Sequence, residues 1–384
     1  MNDRFNIDDF ILNFDPAAPQ ARFLSGRLGA ELVTAEAALP RQVPWPNGLA
    51  PTAMPLSKQP SETDDLSKFH GYDAVVVTWT AAEASALASL FTPAFPTASW
   101  YEYRHAVNTY IPLVTGAKAP FRDTAADMAR YYHSLGLYFP CTIGQAKVLL
   151  FKSGLHLDYD GPATPVFKLM GELAQTVAPK VFITTGTGGG IGTDVRLGDV
   201  VIAGTVRFDC QDQFAKESWS KASFTPSKLP PGALEALVPS LTGVNAARIV
   251  GARPNPKYFS AANDTIVTTD FFAFDDSTNH FGLQGFGQVC DMGDAMVARA
   301  LQAFPDIQWY AIRNASDPQI SNPSNDIKAA QEQAAAIYAR YGGLTTAASA
   351  LAAWSIIQTS VDFLKTHKDG AVRPGFKLGR KHNG

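Results

Sequence analysis

Residues 73–78, DAVVVT, make a short apolar run of the kind buried inside a sheet, and the Ala/Leu-rich residues 81–91 follow as a helix, giving a first βα unit. Residues 138–143 and 147–151 predict two strands paired as a hairpin across Gly144 and Gln145, and residues 165–178 carry an amphipathic helical pattern. β-branched runs at 181–185 and 200–206 predict two more strands, with further strands at 248–251, 287–290 and 309–312. Met296, Val297, Ala300 and Leu301 recur at helical spacing within residues 292–304. Helices are also expected at 30–39, 124–134 and 232–241. Two Ala-rich helices, 325–341 and 344–365, are separated by Gly342 and Gly343.

This pattern is framed by different material at both ends. Residues 1–70 hold eight prolines and read as an irregular arm, which could wrap the core or a partner subunit or be a partly ordered leader. Residues 366–384 read as a basic, solvated tail, so the expected organisation is arm (1–70), one α/β domain (71–365) and tail. Residues 104–136 and 212–231 interrupt the domain as inserted excursions.

Five glycines, Gly186, Gly188, Gly189, Gly190 and Gly192, follow the 181–185 strand as an expected loop. Glycine serves where backbone must approach something closely or take positive φ, and the carboxyl end of a strand is where open α/β sheets bind ligands. A ligand floor and a tight ligand-free connection are both open on this ground alone. No register gives G-x-G-x-x-G and no Gly-Lys-Ser/Thr follows, so neither a dinucleotide fingerprint nor a P-loop is present.

Composition narrows the classes. A formal net charge of -3 argues against a nucleic-acid partner, which would demand a basic face. The 46% hydrophobic content permits a large core, yet no apolar run is long enough to span a membrane, and the first residues lack a signal-peptide pattern. Three scattered cysteines make neither a disulfide framework nor a zinc motif, so a cytoplasmic protein is expected. The seven histidines show no H-E-x-x-H spacing and no G-x-S-x-G occurs, so neither a metal nor a serine nucleophile is expected, nor any cofactor. His156, with no matched partner, reads as structural.

Four segments in order carry a family likeness: Leu149 to Gly154 (LLFKSG); the 185–189 run TGTGG with Leu197-Gly198-Asp199 after it; Asp291-Met292-Gly293-Asp294; and Arg313-Asn314-Ala315-Ser316-Asp317. Together they resemble the nucleoside phosphorylase and nucleosidase superfamily, most closely its methylthioadenosine/adenosylhomocysteine nucleosidase branch, over roughly residues 72–364. The resemblance implies a three-layer α/β fold with a mixed, partly barrel-like central sheet flanked by helices, and a homodimer. It implies hydrolysis of a purine nucleoside, of adenosine or 5′-thioadenosine type, to base and sugar. Phosphorolysis, and a non-catalytic nucleoside-binding protein on the same fold, are the alternatives.

The resemblance also suggests roles. Thr187, Gly188 and Gly189 would form the ligand floor, Ile266 and Val267 would face the purine, and Arg313 and Ser316 would belong to the Arg-x-x-Ser-Asp segment. Glu83 corresponds to the acid that polarises the attacking water, although a carboxylate in a first helical turn is also favoured by the helix dipole alone. Asp317 is the expected general acid, because a departing purine needs a proton and a desolvated carboxyl can hold one near neutrality; a Ser-Asp-Pro turn is its bland reading. Phosphorylases of the superfamily carry a phosphate-binding arginine three residues before the loop hydroxyl, where this chain has Thr184, so water is the expected nucleophile. The family's ribose segment reads acid-Met-Glu, whereas here Gly293 follows Met292. Either Asp294 takes over the sugar contacts or the clamp is lost.

Overall fold

The computed structural model describes residue 12 and residues 43–116, 133–157, 160–237 and 255–368, with side chains to residue 360. The segments expected at 30–39 and 248–251, most of that at 124–134 and nearly all of the tail lie outside these residues. The described part of the 232–241 segment consists of turns rather than helix.

Thirteen strands among the described residues form one mixed sheet. At its centre lies β6 (Val181–Gly190), every residue of which is buried. β6 runs parallel to β2 (Ala74–Thr78) on one side and to β13 (Gln308–Asp317) on the other. β2 continues to β5 (Ala146–Ser153), which closes an antiparallel hairpin with β4 (Gly136–Ile143), as the sequence predicts. β1 (Pro51–Ala53) and β3 (Tyr101–Tyr103) add antiparallel to β4, so part of the proline-rich leader is built into the sheet. At the glycine end of β6, β12 (Val289–Asp291) joins antiparallel and leads through β11 (Thr265–Thr268) to β8 (Thr205–Phe208).

Three further expectations change. The glycine run is not a loop: β6 continues through Gly190, with Gly188 pairing Ala315 and Gly189 and Gly190 pairing β12. Two strands crowd it there. A Cβ at Gly188 would stand 2.8 Å from the Cys290 carbonyl oxygen, and one at Gly190 would stand 3.0 Å from that of Asp317. The 200–206 strand divides into β7 (Val200–Ile202) and β8, because Gly204 passes so close to Ala261 that a Cβ would lie 2.2 Å from its carbonyl oxygen. β7 then serves β13 and β10 (Tyr258–Phe259), and β8 serves β11 and β9 (Ser223–Phe224).

The third change is at Gly342. α1 (Ala81–Phe91), α2 (Pro165–Val177) and α3 (Asp294–Leu301) correspond to expected helices, but a single helix, α4 (Ile327–Lys368), replaces the expected pair. An interior glycine weakens a helix by about 1 kcal/mol. Burial of Ala347, Leu351, Trp354 and Ile357 outweighs that here, each side chain contributing up to about 1.5–3 kcal/mol for the larger ones. Gly342 also leaves room for the Tyr338 ring, whose atoms lie 3.1–3.3 Å from where a Cβ would sit. α4 packs on α1, β6 and β13, and α2 packs on α3.

Candidate active site

A cavity enclosing about 660 Å³, part of it open to solvent, lies where the carboxyl ends of β2, β6, β12 and β13 meet. That is the end at which open α/β sheets bind ligands. Its floor is the glycine stretch of β6, with Thr187, Gly188 and Gly189 on the wall.

Glu83 enters from the start of α1. Thr80 caps the helix, its Oγ1 accepting from the Glu83 amide at 3.1 Å, and Glu83 Oε2 accepts in return from the Thr80 amide at 2.9 Å. This capping box accounts for part of what holds the side chain, and four further donors come from elsewhere. Oε2 also accepts from Thr78 Oγ1 at 2.6 Å and the Trp79 amide at 2.9 Å; Oε1 accepts from the Thr187 amide and Oγ1 at 2.6 and 2.7 Å. Burial pushes the Glu83 carboxyl up, but Arg313 and these donors outweigh it and hold the group below its ordinary range. Gly186 makes the approach possible: its φ is +152° and a Cβ would lie 2.3 Å from Glu83 Oε1.

Arg313 sits one strand over, paired in register with Gly186. Its Nε donates to Asp294 Oδ2 at 2.8 Å and its Nη2 to Asp294 Oδ1, a two-pronged contact. Nη2 also lies 3.1 Å from Asp291 Oδ2, while Nη1 donates to the Thr187 carbonyl at 3.2 Å and stands 3.7 Å from Glu83 Oε1. The guanidinium carbon lies 4.8 Å from the centre of the Trp79 ring. Each guanidinium nitrogen thus has a protein partner. Asp291 meanwhile caps α3, its Oδ2 accepting from the amides of Gly293 and Asp294 at 2.9 and 2.8 Å, and Oδ1 accepts from Thr268 Oγ1 at 2.6 Å. Burial, reinforced by the charge of Asp294, raises the Asp291 carboxyl.

Asp317 is the last residue of β13, beside a register shift between Ala315 and Asp317. Such a bulge re-aims side chains, a common feature beside active sites. Ser316 Oγ donates to Asp317 Oδ1 at 2.8 Å; Oδ2 is buried and has no hydrogen-bond partner among the described residues. Burial pushes the Asp317 carboxyl up to about 7, against the lowering effect of Ser316 and with help from the Asp275 charge.

Of the sequence-selected residues, the cavity therefore gathers Glu83, Thr187, Gly188, Gly189, Met292, Arg313, Ser316 and Asp317. It does not gather Ile266, Val267 or Asp294. Ile266 and Val267 lie inside β11, fully buried between β8 and β12, and the wall comes instead from Thr269, Phe272 and Ala273 beyond that strand. Asp294 is fully buried on Arg313. Sequence reasoning missed Trp79 and Tyr338 and set His156 aside; all three line the cavity. Trp79 stood between a recognised strand and Glu83, where the carboxyl-end rule could have found it. Tyr338 is brought in by α4, its hydroxyl donating to Thr80 Oγ1 at 2.9 Å, a contact across 258 residues that no local motif signals.

The family model described as the phosphorylase superfamily matches residues 100–342, and the chain belongs to that superfamily. A curated relative, the 5′-methylthioadenosine/S-adenosylhomocysteine nucleosidase of Shewanella pealeana, is 28% identical over 162 residues, covering 40% of this chain; the chain spans 62% of that relative's length. Among solved structures, the chain is similar to the same nucleosidase from Neisseria meningitidis in complex with methylthio-immucillin-A, at 16% identity and TM-score 0.44, over 75% of this chain and 99% of the other. It is also similar to futalosine hydrolase of Helicobacter pylori, at 12% identity and TM-score 0.45, over 75% and 97%. Among the described residues no helix is long and apolar enough to cross a membrane.

Proposed function

We propose that this cavity hydrolyses the N-glycosidic bond of a purine nucleoside, with Asp317 as the general acid. The observation that carries the reading is the Asp317 carboxyl itself. Its Oδ2 is buried and unpaired among the described residues, the residue lines the cavity, and the carboxyl holds its proton to about pH 7. Cleavage leaves negative charge on the departing base and oxocarbenium character on the sugar, so an acid held protonated near neutrality lowers the barrier at the base end. Ser316 fixes the orientation of that carboxyl through Oδ1.

Glu83 supplies the complementary negative charge. Held ionised and fixed by five hydrogen-bond donors, it stabilises developing positive charge on the sugar, while Thr187 Oγ1, which donates to it, keeps lone pairs that can accept from the attacking water. A strong base is not required, since water adds to a carbon already cationic.

Water is favoured over phosphate because, among the described residues, the one arginine on the cavity wall has its guanidinium occupied by Asp294, Asp291 and the Thr187 carbonyl. A phosphate dianion would meet Glu83 and Asp291 with no free guanidinium to bind it. Arg196 is exposed and Arg207 stacks on Phe286, and neither lines the cavity. The test is release of free base from adenosine, 5′-methylthioadenosine and guanosine in phosphate-free buffer. Release from at least one is expected, and release from none, or only with phosphate, contradicts the reading.

A further inference from the structure

Gly293 has a negative φ of −151°, outside the left-handed region that favours glycine, so positive φ is not what its lack of a side chain serves. The requirement is space. A Cβ there would lie 2.7, 2.9 and 3.1 Å from Cζ2, Cε2 and Cη2 of Trp79. Gly293 and Trp79 are therefore fitted to each other: the indole occupies the volume any side chain at 293 would enter. The ring is held on its other contacts too, lying against the Arg313 guanidinium, while the Trp79 amide is bound by Glu83. Only 4% of the residue is exposed, and its Nε1–H is buried with no acceptor among the described residues, although Trp79 is one of the residues that line the cavity. Buried indole N–H groups ordinarily find a partner.

The carboxylates nearby cannot receive a pair of sugar hydroxyls. Both oxygens of Asp294 are engaged by Arg313. Asp291 Oδ2 already faces three donors and Oδ1 has one, while Glu83 accepts five hydrogen bonds. A carboxylate has about four lone-pair sites, so Asp291 and Glu83 have none left for a vicinal diol, and Asp294, with two in use, is fully buried on Arg313 and does not line the cavity. Asp317 Oδ2 is free but belongs to the other end, four residues along β13 from Arg313. At about 3.3 Å per residue, shortened by the bulge, that is roughly 10–13 Å, enough for a base and its sugar to lie between.

Resting on the nucleosidase reading, we propose that Trp79 is the specificity-determining residue at the sugar end, its Nε1–H donating to a single sugar oxygen. The site then recognises one acceptor against an aromatic wall rather than a 2′,3′-diol against a carboxylate. Its substrate class includes deoxysugar nucleosides on nearly equal terms with ribonucleosides.

The test compares the ribo-, 2′-deoxy- and 3′-deoxyribonucleosides of adenine or guanine, whichever base the wild type releases faster, on wild type and Trp79→Phe, which keeps the ring and removes the donor. One neutral hydrogen bond corresponds to about three- to tenfold in kcat/KM. Neither deoxy sugar should cost the wild type more than about tenfold, and Trp79→Phe should lose about three- to tenfold on the ribonucleoside. A second readout is the ¹⁵N-indole NMR resonance absent from Trp79→Phe, which should shift when the ribonucleoside binds slowly cleaved Asp317→Asn. A loss of a hundredfold or more on a deoxy sugar, equal in both proteins, or an indole resonance unmoved by bound nucleoside, overturns this inference and leaves the nucleosidase reading standing. No base release by the wild type from any of these nucleosides removes both.

Discussion

Arg313 and Asp294, on β13 and at the start of α3, face each other through two parallel N–H···O contacts, and both are buried, at 3% and 0% exposure. The pair ties the end of the central sheet to a helix that begins at the cavity, so its first role is to fix architecture. Breaking a buried pair costs up to about 3–5 kcal/mol, and without Asp294 the guanidinium keeps only Asp291 and the more distant Glu83 as counter-charges. Asp294→Ala should therefore shift the urea unfolding midpoint strongly downward. Weakened ribonucleoside binding at unchanged stability would instead make Asp294 a ligand contact.

Asp317→Asn should keep nucleoside binding while lowering kcat by about 10²- to 10⁴-fold, the usual worth of general acid catalysis. In the wild type, kcat should fall as pH rises through about 7, where the acid loses its proton. A pH profile without that limb would contradict the assignment.

The same group links stability to pH. Its folded value, about 7, lies above its ordinary 3.8, so the folded state holds the proton more tightly. The resulting stabilisation is complete below about pH 4, declines as pH rises from there, and is lost through pH 7. Relative to Asp317→Asn, the wild type should lose on the order of a few kcal/mol between pH 4 and pH 8. Urea titrations of both proteins at the two pH values measure the difference; a gap that does not change with pH would count against a buried, protonated carboxyl.

Gly186→Ala probes the approach of Glu83 to the sheet. The new methyl would stand 2.3 Å from Oε1 at a φ of +152°, so the carboxylate must leave Thr187 or the strand must shift. Overpacking of this kind costs about 1–3 kcal/mol, and backbone strain adds to it. Reduced stability together with reduced turnover is expected. Gly192→Ala, at φ +77° but with nothing within 4 Å of the added atom, should show the strain with little effect on turnover.

Much of this architecture is legible in sequence because it is written in local chemistry. The DAVVVT run, the hairpin at Gly144 and the α1 helix are each determined by neighbouring residues. Ordered motifs bring Glu83, Thr187, Arg313, Ser316 and Asp317 to one cavity. What is not legible depends on partners far along the chain. Gly188 to Gly190 read as a loop because the two strands that need their bare backbone lie some 100 residues later. Gly342 reads as a break because the Tyr338 ring it accommodates, and the sheet that buries the helix, are tertiary facts. Asp294 and Gly293 are intelligible only with Arg313 and Trp79 in view.

The most direct test of the central claim is cleavage of the preferred purine nucleoside in ¹⁸O-labelled water, with and without inorganic phosphate. Hydrolysis at this cavity predicts free base and free sugar carrying one ¹⁸O at C1′, at a rate that phosphate does not raise. Sugar 1-phosphate as product, or unlabelled sugar, would contradict it.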